Sequence, residues 1–321
     1  KMKKASVFIV FILFFCFKFS YSSSNNIRVA VKKDAEKFRL VVKGDYSIQK
    51  PFNGHILDRG RNIKTDVLTD ENNIIISEKY YNFSAVDILS AKDGSVYIDS
   101  RPYRGKIRII KESGKLTVVN IIPLEDYLKG VLEYEVSHWW PMEALKAQAI
   151  AARSYAIYMK NINRNKNYDL TSDISTQVYG GKLGERWRIN RAVSATKGLI
   201  LVYNGKVLPA FYHSTCGGNT DNANHIWNIN IEPLKGAICV FCRNSKHYRW
   251  HKSIDIVDFK GIFSSSGYKW SGIEDLYVKE HFNNGYVKKV GIFADNQEYV
   301  FSGEDFRNIL GANLIRSRRF D

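Results

Sequence analysis

Between residues 27 and 122 apolar positions alternate with polar ones or gather in short runs separated by polar turns. "IRVAVKK", "FRLVVKG", "NNIIISEKYYNF", "GSVYID", "GKIRII" and "GKLTVVNII" each carry the pattern of a strand. Lys43-Gly44, Asp93-Gly94 and Ser113-Gly114 mark turns between them. At Pro123 the period changes. In "PLEDYLKGVLEYEV" Leu124, Leu128, Val131 and Leu132 form one apolar stripe at helical spacing. Asn120 to Pro123 leads into this helix, and Glu125 and Asp126 fall in its first turn, where acids suit the dipole. Pro141 opens a second helix at its first position, running to about Met159, with a stripe of Leu145, Ala149, Ala152, Ala156 and Met159. Helical and strand patterns then alternate to the end of the chain, with no fixed repeat and no low-complexity linker. The expected class is α+β: a β-rich portion, 27–122, packed on a helix-and-strand portion, 123–320, that holds the chemistry.

One residue breaks the first helix's pattern. Glu135 lies seven positions after Leu128 and so falls on the apolar stripe, while Asp126, Lys129 and Glu133 fall on the polar side. Glu133 reads as a solvated surface acid. A carboxyl on an apolar face is desolvated, which favours its protonated form, and a protonated carboxyl is what a general acid needs. The same position also suits a buried acid paired with a cation, or an exposed acid at a frayed helix end. On the second helix Gln148 interrupts the apolar stripe, either as a hydrogen-bonding partner beside Glu135 or as a satisfied core amide. Lys146, Arg153 and Lys160 share another face. Trp139 and Trp140 can stack on sugar rings, with one of the pair expected in the core.

The first residues add a location. Lys3 and Lys4 precede the apolar run Ala5 to Phe17, and small residues follow from Ser20 to Ser24. Residues 1–24 are expected to be a secretory signal peptide, or else an uncleaved anchor; the run is short for a membrane span. Cys16 follows two phenylalanines, which argues against a lipoprotein cleavage site. The chain of 321 residues has 13% aromatic and 45% apolar residues, a folded globule's composition, and a net charge of +16. Such a charge fits nucleic acid, but export and scattered basic residues argue against it. The expected targets are anionic wall polymers, with membrane contact only through the N-terminal segment.

At residues 123–156 the sequence resembles the stage II sporulation protein D (SpoIID) family: "PLEDYLKGVLEYEVSHWWPMEALKAQAIAARSYA" is similar to its signature. Further similar blocks follow at 168–181, 192–220, 244–250 and 301–320, so the resemblance spans residues 27–320. It implies a peptidoglycan lytic transglycosylase acting on glycan stripped of stem peptides, with Glu135 as its catalytic acid. In that reaction a single carboxyl suffices. It protonates the oxygen between N-acetylmuramic acid and N-acetylglucosamine, then takes the proton of the muramic C6 hydroxyl as a 1,6-anhydro ring closes, unlike paired-carboxylate hydrolases. By the same resemblance Gln148, Arg153, Tyr155, Gln177, Tyr179, His213 and Ser214 bind glycan or hold Glu135. "EVSHWWP" departs from the family pattern, with His138 and a tryptophan pair where small or polar residues are usual. The resemblance does not decide whether the cell sporulates.

Three cysteines follow the N-terminal segment: Cys216, Cys239 and Cys242. With His247 they suit a closed structural zinc site, His213 being a rival fourth ligand. A Cys239–Cys242 or Cys216–Cys242 disulfide is the other reading, because export permits oxidation. The family's own zinc cysteines fall in a segment matching "YDLTSDISTQVY", which has none. A second function of a different class stays open: a non-catalytic glycan-binding protein that recruits or activates a wall amidase. A zinc amidase is disfavoured, since no H-E-x-x-H or other open ligand set is present.

Overall fold

The computed structural model describes residues 25–91 and 94–321. The expected signal peptide or anchor, and Asp93 of one turn signal, lie outside these residues. No described helix is long and apolar enough to cross a membrane. The described residues up to Phe211 form one compact unit and Tyr212–Asp321 form a second. The division therefore falls at residue 211, within the portion 123–320, and not at the change of pattern at Pro123. The class is α+β.

The first unit is built on one sheet of β1 (Asn26–Ala35), β2 (Lys37–Gln49), β3 (Ile56–Thr69), β4 (Ile74–Ile76), β5 (Lys79–Tyr81), β6 (Ala85–Ser90), β7 (Ser95–Ile98), β8 (Arg101–Tyr103), β9 (Lys106–Glu112), β10 (Lys115–Pro123) and β11 (Leu170–Thr171). Their order is β11-β1-β10-β9-β6-β2-β3-β4-β5, with β7 also on β2 and β8 on β7. Only β1 and β11 run parallel; Val29 faces Leu170 there and Asn120 of β10 on its other side. The alternation read from the sequence is the burial pattern: Val29, Leu40, Val86, Ile88, Ile107, Ile109 and Val118 are buried, and β-branched side chains suit such a pleated, packed surface. Ser113-Gly114 is the β9–β10 turn, both residues at positive φ. Lys43-Gly44 is not a turn. Gly44 lies inside β2, at φ +89°, where the register shifts between Val42 and Asp45, so its conformational freedom serves a bulge.

The helices α1 (Leu124–Glu135), α2 (Met142–Ile162) and α3 (Trp187–Ala195) follow the sheet. Pro123 and Pro141 stand one position outside α1 and α2, as their N-caps. In α1 the stripe Leu124, Leu128, Val131 and Leu132 is buried, together with Tyr127 and Gly130. In α2, Leu145, Ala149, Ala152 and Ala156 are buried as expected. A hairpin of β12 (Val202–Tyr203) and β13 (Lys206–Val207) completes the unit.

The second unit holds the short helix α4 (Asn224–Trp227), then α5 (Ile256–Ser265), an antiparallel sheet of β14 (Ile273–His281), β15 (Val287–Ala294) and β16 (Gln297–Ser302), and α6 (Gly303–Leu310). Its core is aromatic: Phe259, Phe263, Trp270, Phe301 and Phe306 pack with Val290 and Ile292. Asp221, joined to Arg318, His225 and Asn284, ties the unit's beginning to its end.

Candidate functional site

Glu135 is the last residue of α1 and is half-buried. The final turn of a helix leaves main-chain and side-chain groups facing out of the element, so a carboxyl there can be presented and still be anchored. The backbone N–H of Val178 donates to Glu135 Oε1 at 3.2 Å. The residues on either side of Val178 fix that N–H. Gln177 is fully buried; its Oε1 accepts from the Tyr127 hydroxyl at 3.1 Å and its Nε2 donates to the Ala152 carbonyl at 3.4 Å. Tyr179 is fully buried too, its hydroxyl donating to Asn120 Oδ1 at 2.8 Å and its ring 5.1 Å from that of Tyr127. Asn120 in turn donates to the carbonyls of Arg104 and Lys106 on the sheet. The strand-like alternation of "QVY" thus buries two side chains and turns the N–H between them toward the carboxyl.

α1 approaches this segment closely because both surfaces are glycine. The Gly180 N–H donates to the Gly130 carbonyl at 3.0 Å, and a Cβ on Gly130 would meet the Tyr179 ring at 2.5 Å and the Gly181 carbonyl oxygen at 2.7 Å. Tyr155 of α2 is buried near Glu135. Burial, first, then the charges of Tyr158 and of Glu135 push its hydroxyl up to about 12, so it stays a neutral donor at working pH.

Arg153 is buried, while Lys146 and Lys160 are half-buried. Its guanidinium forms a bidentate pair with Glu125 at 2.9 and 2.8 Å and donates to the carbonyls of Leu199 and Val193. Of the two roles expected for Arg153, Gln177 and Tyr179, glycan contact or support of Glu135, their burial suits support alone. Gln148 is half-buried, two turns before Tyr155 on the same face of α2, with its Nε2 buried and unpartnered among the described residues. His213 and Ser214 are exposed and belong to the second unit.

The stretch 136–141 departs from two expectations. Glu133 is not a freely solvated acid: His138 Nδ1 lies 2.8 Å from its Oε1 and Arg186 Nε 3.5 Å away, which leaves it half-buried. Nor is either tryptophan in the core, for Trp139 is 75% and Trp140 51% exposed. Arg188 of α3 holds their loop, donating to the carbonyls of His138 at 2.8 Å and Trp140 at 2.9 Å. Beside Arg188, Trp187 is 65% exposed. The sequence reading missed Trp187, Arg188, Asn120 and Tyr127. For Trp187 and Arg188 the signal was present, a Trp-Arg pair opening a helix; for Asn120 and Tyr127 it was not, because burial of a polar group follows from tertiary packing.

In the second unit the sulfurs of Cys216, Cys239 and Cys242 lie within 4.8 Å of one another, and none forms a disulfide. Cys216 is buried; burial and the neighbouring thiols push it up, while hydrogen bonds donated by Cys216 pull Cys242 down. Neither expected histidine joins them. His247 is exposed, its Nδ1 3.5 Å from Arg316 Nη1, and no described His, Asp or Glu completes the cluster.

The site of this α+β protein thus presents a half-buried carboxyl on a helix end, held by a main-chain donor, with two exposed tryptophans in the loop that follows. Comparison with known proteins agrees with the class. Residues 112–203, which include α1, α2, the Val178 segment and α3, match the family described as SpoIID, stage II sporulation protein. The likeness to that family is therefore one of residues 112–203, the part of the chain that holds Glu135. An uncharacterized protein of Brachyspira hyodysenteriae is 28% identical over 312 residues, 94% of this chain and 81% of that protein. The stage II sporulation protein D of Bacillus subtilis is 33% identical over 157 residues, 44% of this chain and 46% of its own length. The amidase enhancer of Bacillus subtilis is 40% identical over 110 residues, 33% of this chain and 14% of its own length. The chain thus matches less than half of either Bacillus protein.

Proposed function

We propose that this protein is a peptidoglycan lytic transglycosylase that works outside the cytoplasm on glycan from which stem peptides have been removed. The observation that carries the reading is Glu135, fixed at the end of α1 by the Val178 N–H with the neutral Tyr155 hydroxyl nearby. A carboxyl so oriented can serve both halves of the reaction without a second acid. Glu135 gives its proton to the glycosidic oxygen, and the N-acetylglucosamine leaves as an alcohol. The C6 hydroxyl of the muramic residue attacks its own anomeric carbon, and its proton passes to Glu135, which restores the acid. No water is consumed. Trp139, Trp140 and Trp187 supply ring faces for the sugars next to the bond cut, and the unpartnered Gln148 Nε2 supplies a donor for a hydroxyl or acetamide oxygen.

The charge of the first unit supports the stripped glycan as substrate. Cutting the stem peptide from its lactyl ether leaves a carboxylate on each muramic residue. Residues 151–211, which contain α3, carry 10 Lys and Arg against 3 Asp and Glu. A second reading has one observation in its favour, the similarity to an amidase enhancer: a glycan-binding protein that recruits or activates a wall amidase. Glu135→Gln separates the two, because it keeps the shape of the side chain and removes its proton. On peptide-stripped strands the wild type should release 1,6-anhydromuramyl ends, read by mass spectrometry, and the variant should bind without cutting. If the wild type binds and never cuts, yet speeds an added amidase, the second reading holds.

A further inference from the structure

The beginning of the second unit has too little core to hold itself. Between Tyr212 and Ile254 the only described residues that are buried are Cys216 and Ala223. Ile238 and Phe241 are 86% and 92% exposed, and Val240 is exposed as well. A segment of this length that buries so little apolar surface ordinarily depends on a cross-link or a metal. Two loops bearing the cysteines are nonetheless zipped together. Asn219 bridges Ile238, the Cys239 N–H donates to the Gly218 carbonyl at 2.9 Å, and the Thr220 N–H donates to the Ala237 carbonyl at 2.8 Å.

Three cysteine sulfurs converge at the end of this zipper, within 4.8 Å of one another. Cys216 is followed by Gly217 and Gly218, at φ +69° and +107°, a turn that L side chains resist. It aims the Gly218 amide at the sulfurs of Cys216 and Cys242, and the Cys216 amide at Cys242. Such N–H groups stabilise thiolate ligands. Sulfurs about 2.3 Å from a tetrahedral zinc stand about 3.8 Å apart. The Cys239–Cys242 separation is 3.8 Å and that of Cys216–Cys242 is 2.9 Å.

We propose that Cys216, Cys239 and Cys242 hold one zinc ion through three thiolates, with His247 outside the coordination sphere, and that this ion cross-links residues 212–255. A disulfide would use only two of the three converging sulfurs. The fourth position is open to an exogenous ligand. The site is independent of the chemistry at Glu135, so its failure leaves the proposed activity untouched.

The test uses the whole chain purified without chelator, with metal counted by native mass spectrometry and elemental analysis. One zinc per chain is expected, with all three thiols shielded from alkylation until a chelator is added. Chelation should then speed protease cleavage within 212–255 by about tenfold or more, while residues 25–211 stay intact. His247→Ala should keep its zinc, and Cys239→Ser should lose it. Should the cysteine variant fail to fold, the wild-type metal count and alkylation pattern decide alone. A metal-free chain with a Cys216–Cys242 disulfide and one free thiol overturns the proposal, as does loss of zinc in His247→Ala.

Discussion

The residues of the site differ in what each can reveal when changed. In the proposed reaction Glu135 is the group that touches the substrate, and Tyr155 lies near it with a hydroxyl that burial keeps neutral. That shift carries a consequence for stability. Below pH 10 both the folded and the unfolded chain hold the phenolic proton. Between 10 and about 12 the unfolded chain has lost it and the folded chain keeps it, so stability falls as pH rises through that window. Tyr103 and Tyr286, also pushed up to about 12 chiefly by burial, add to the same slope. Chemical unfolding of the wild type followed across this range should show the decline, and Tyr155→Phe should make it shallower. An identical slope in the variant would place Tyr155 in a wetter setting than its burial indicates. The half-buried position of Glu135 is legible from the sequence, because an acid on an apolar stripe violates a simple period. The seven-residue spacing of Arg153 from Lys146 and Lys160 does not reveal that it pairs with Glu125 in the interior, because that pairing joins two helices.

At the scale of elements, the site depends on how closely α1 meets the Val178 segment. Gly130→Ala adds a Cβ against the buried Tyr179 ring and the Gly181 carbonyl, neither of which can yield cheaply. The gain in helix propensity, about 1 kcal/mol, is smaller than an overpacking cost of about 1–3 kcal/mol, so net destabilisation is expected together with loss of activity. Gly180→Ala is the control: its Cβ meets the ring of Tyr134, which is 44% exposed and free to swing outward. Calorimetry should rank Gly130→Ala clearly below Gly180→Ala; equal melting temperatures would deny the close approach a special role. Arg153→Met leaves Glu125 without its buried partner and should cost about 3–5 kcal/mol. Glu125→Gln made in addition should restore a large part, measured by the same unfolding curves. The strands, α1 and α2 were legible because alternation and helical stripes are local. The Lys43-Gly44 pair carries no local sign that β2 continues through it, and the Gly130 contact has none either, since it joins residues about 50 positions apart.

Charge is the property that belongs to the whole molecule, and it is unevenly divided. Residues 25–211 carry 30 Lys and Arg against 20 Asp and Glu, while residues 212–321 carry 14 against 12. The surplus therefore lies almost entirely in the unit that holds Glu135. If the proposed substrate is right, a glycan bearing a carboxylate on each muramic residue would be drawn to this unit by long-range attraction as well as by sugar stacking. The two contributions respond differently to salt. From about 0.01 to 1 M the screening length shrinks from about 30 to about 3 Å, which removes attraction between exposed charges and leaves stacking on Trp139, Trp140 and Trp187 nearly unchanged. Co-sedimentation of the Glu135→Gln protein with stripped strands should show affinity dropping steeply across that range toward a plateau set by the tryptophans. Arg186→Glu with Arg191→Glu, both exposed at α3, should lower affinity at low salt and converge with the parent at high salt. Trp187→Ala should instead lower the plateau. Salt-independent binding by the parent would mean that the positive surplus plays no part in recognising the glycan, and that sugar stacking with hydrogen bonding carries the substrate alone.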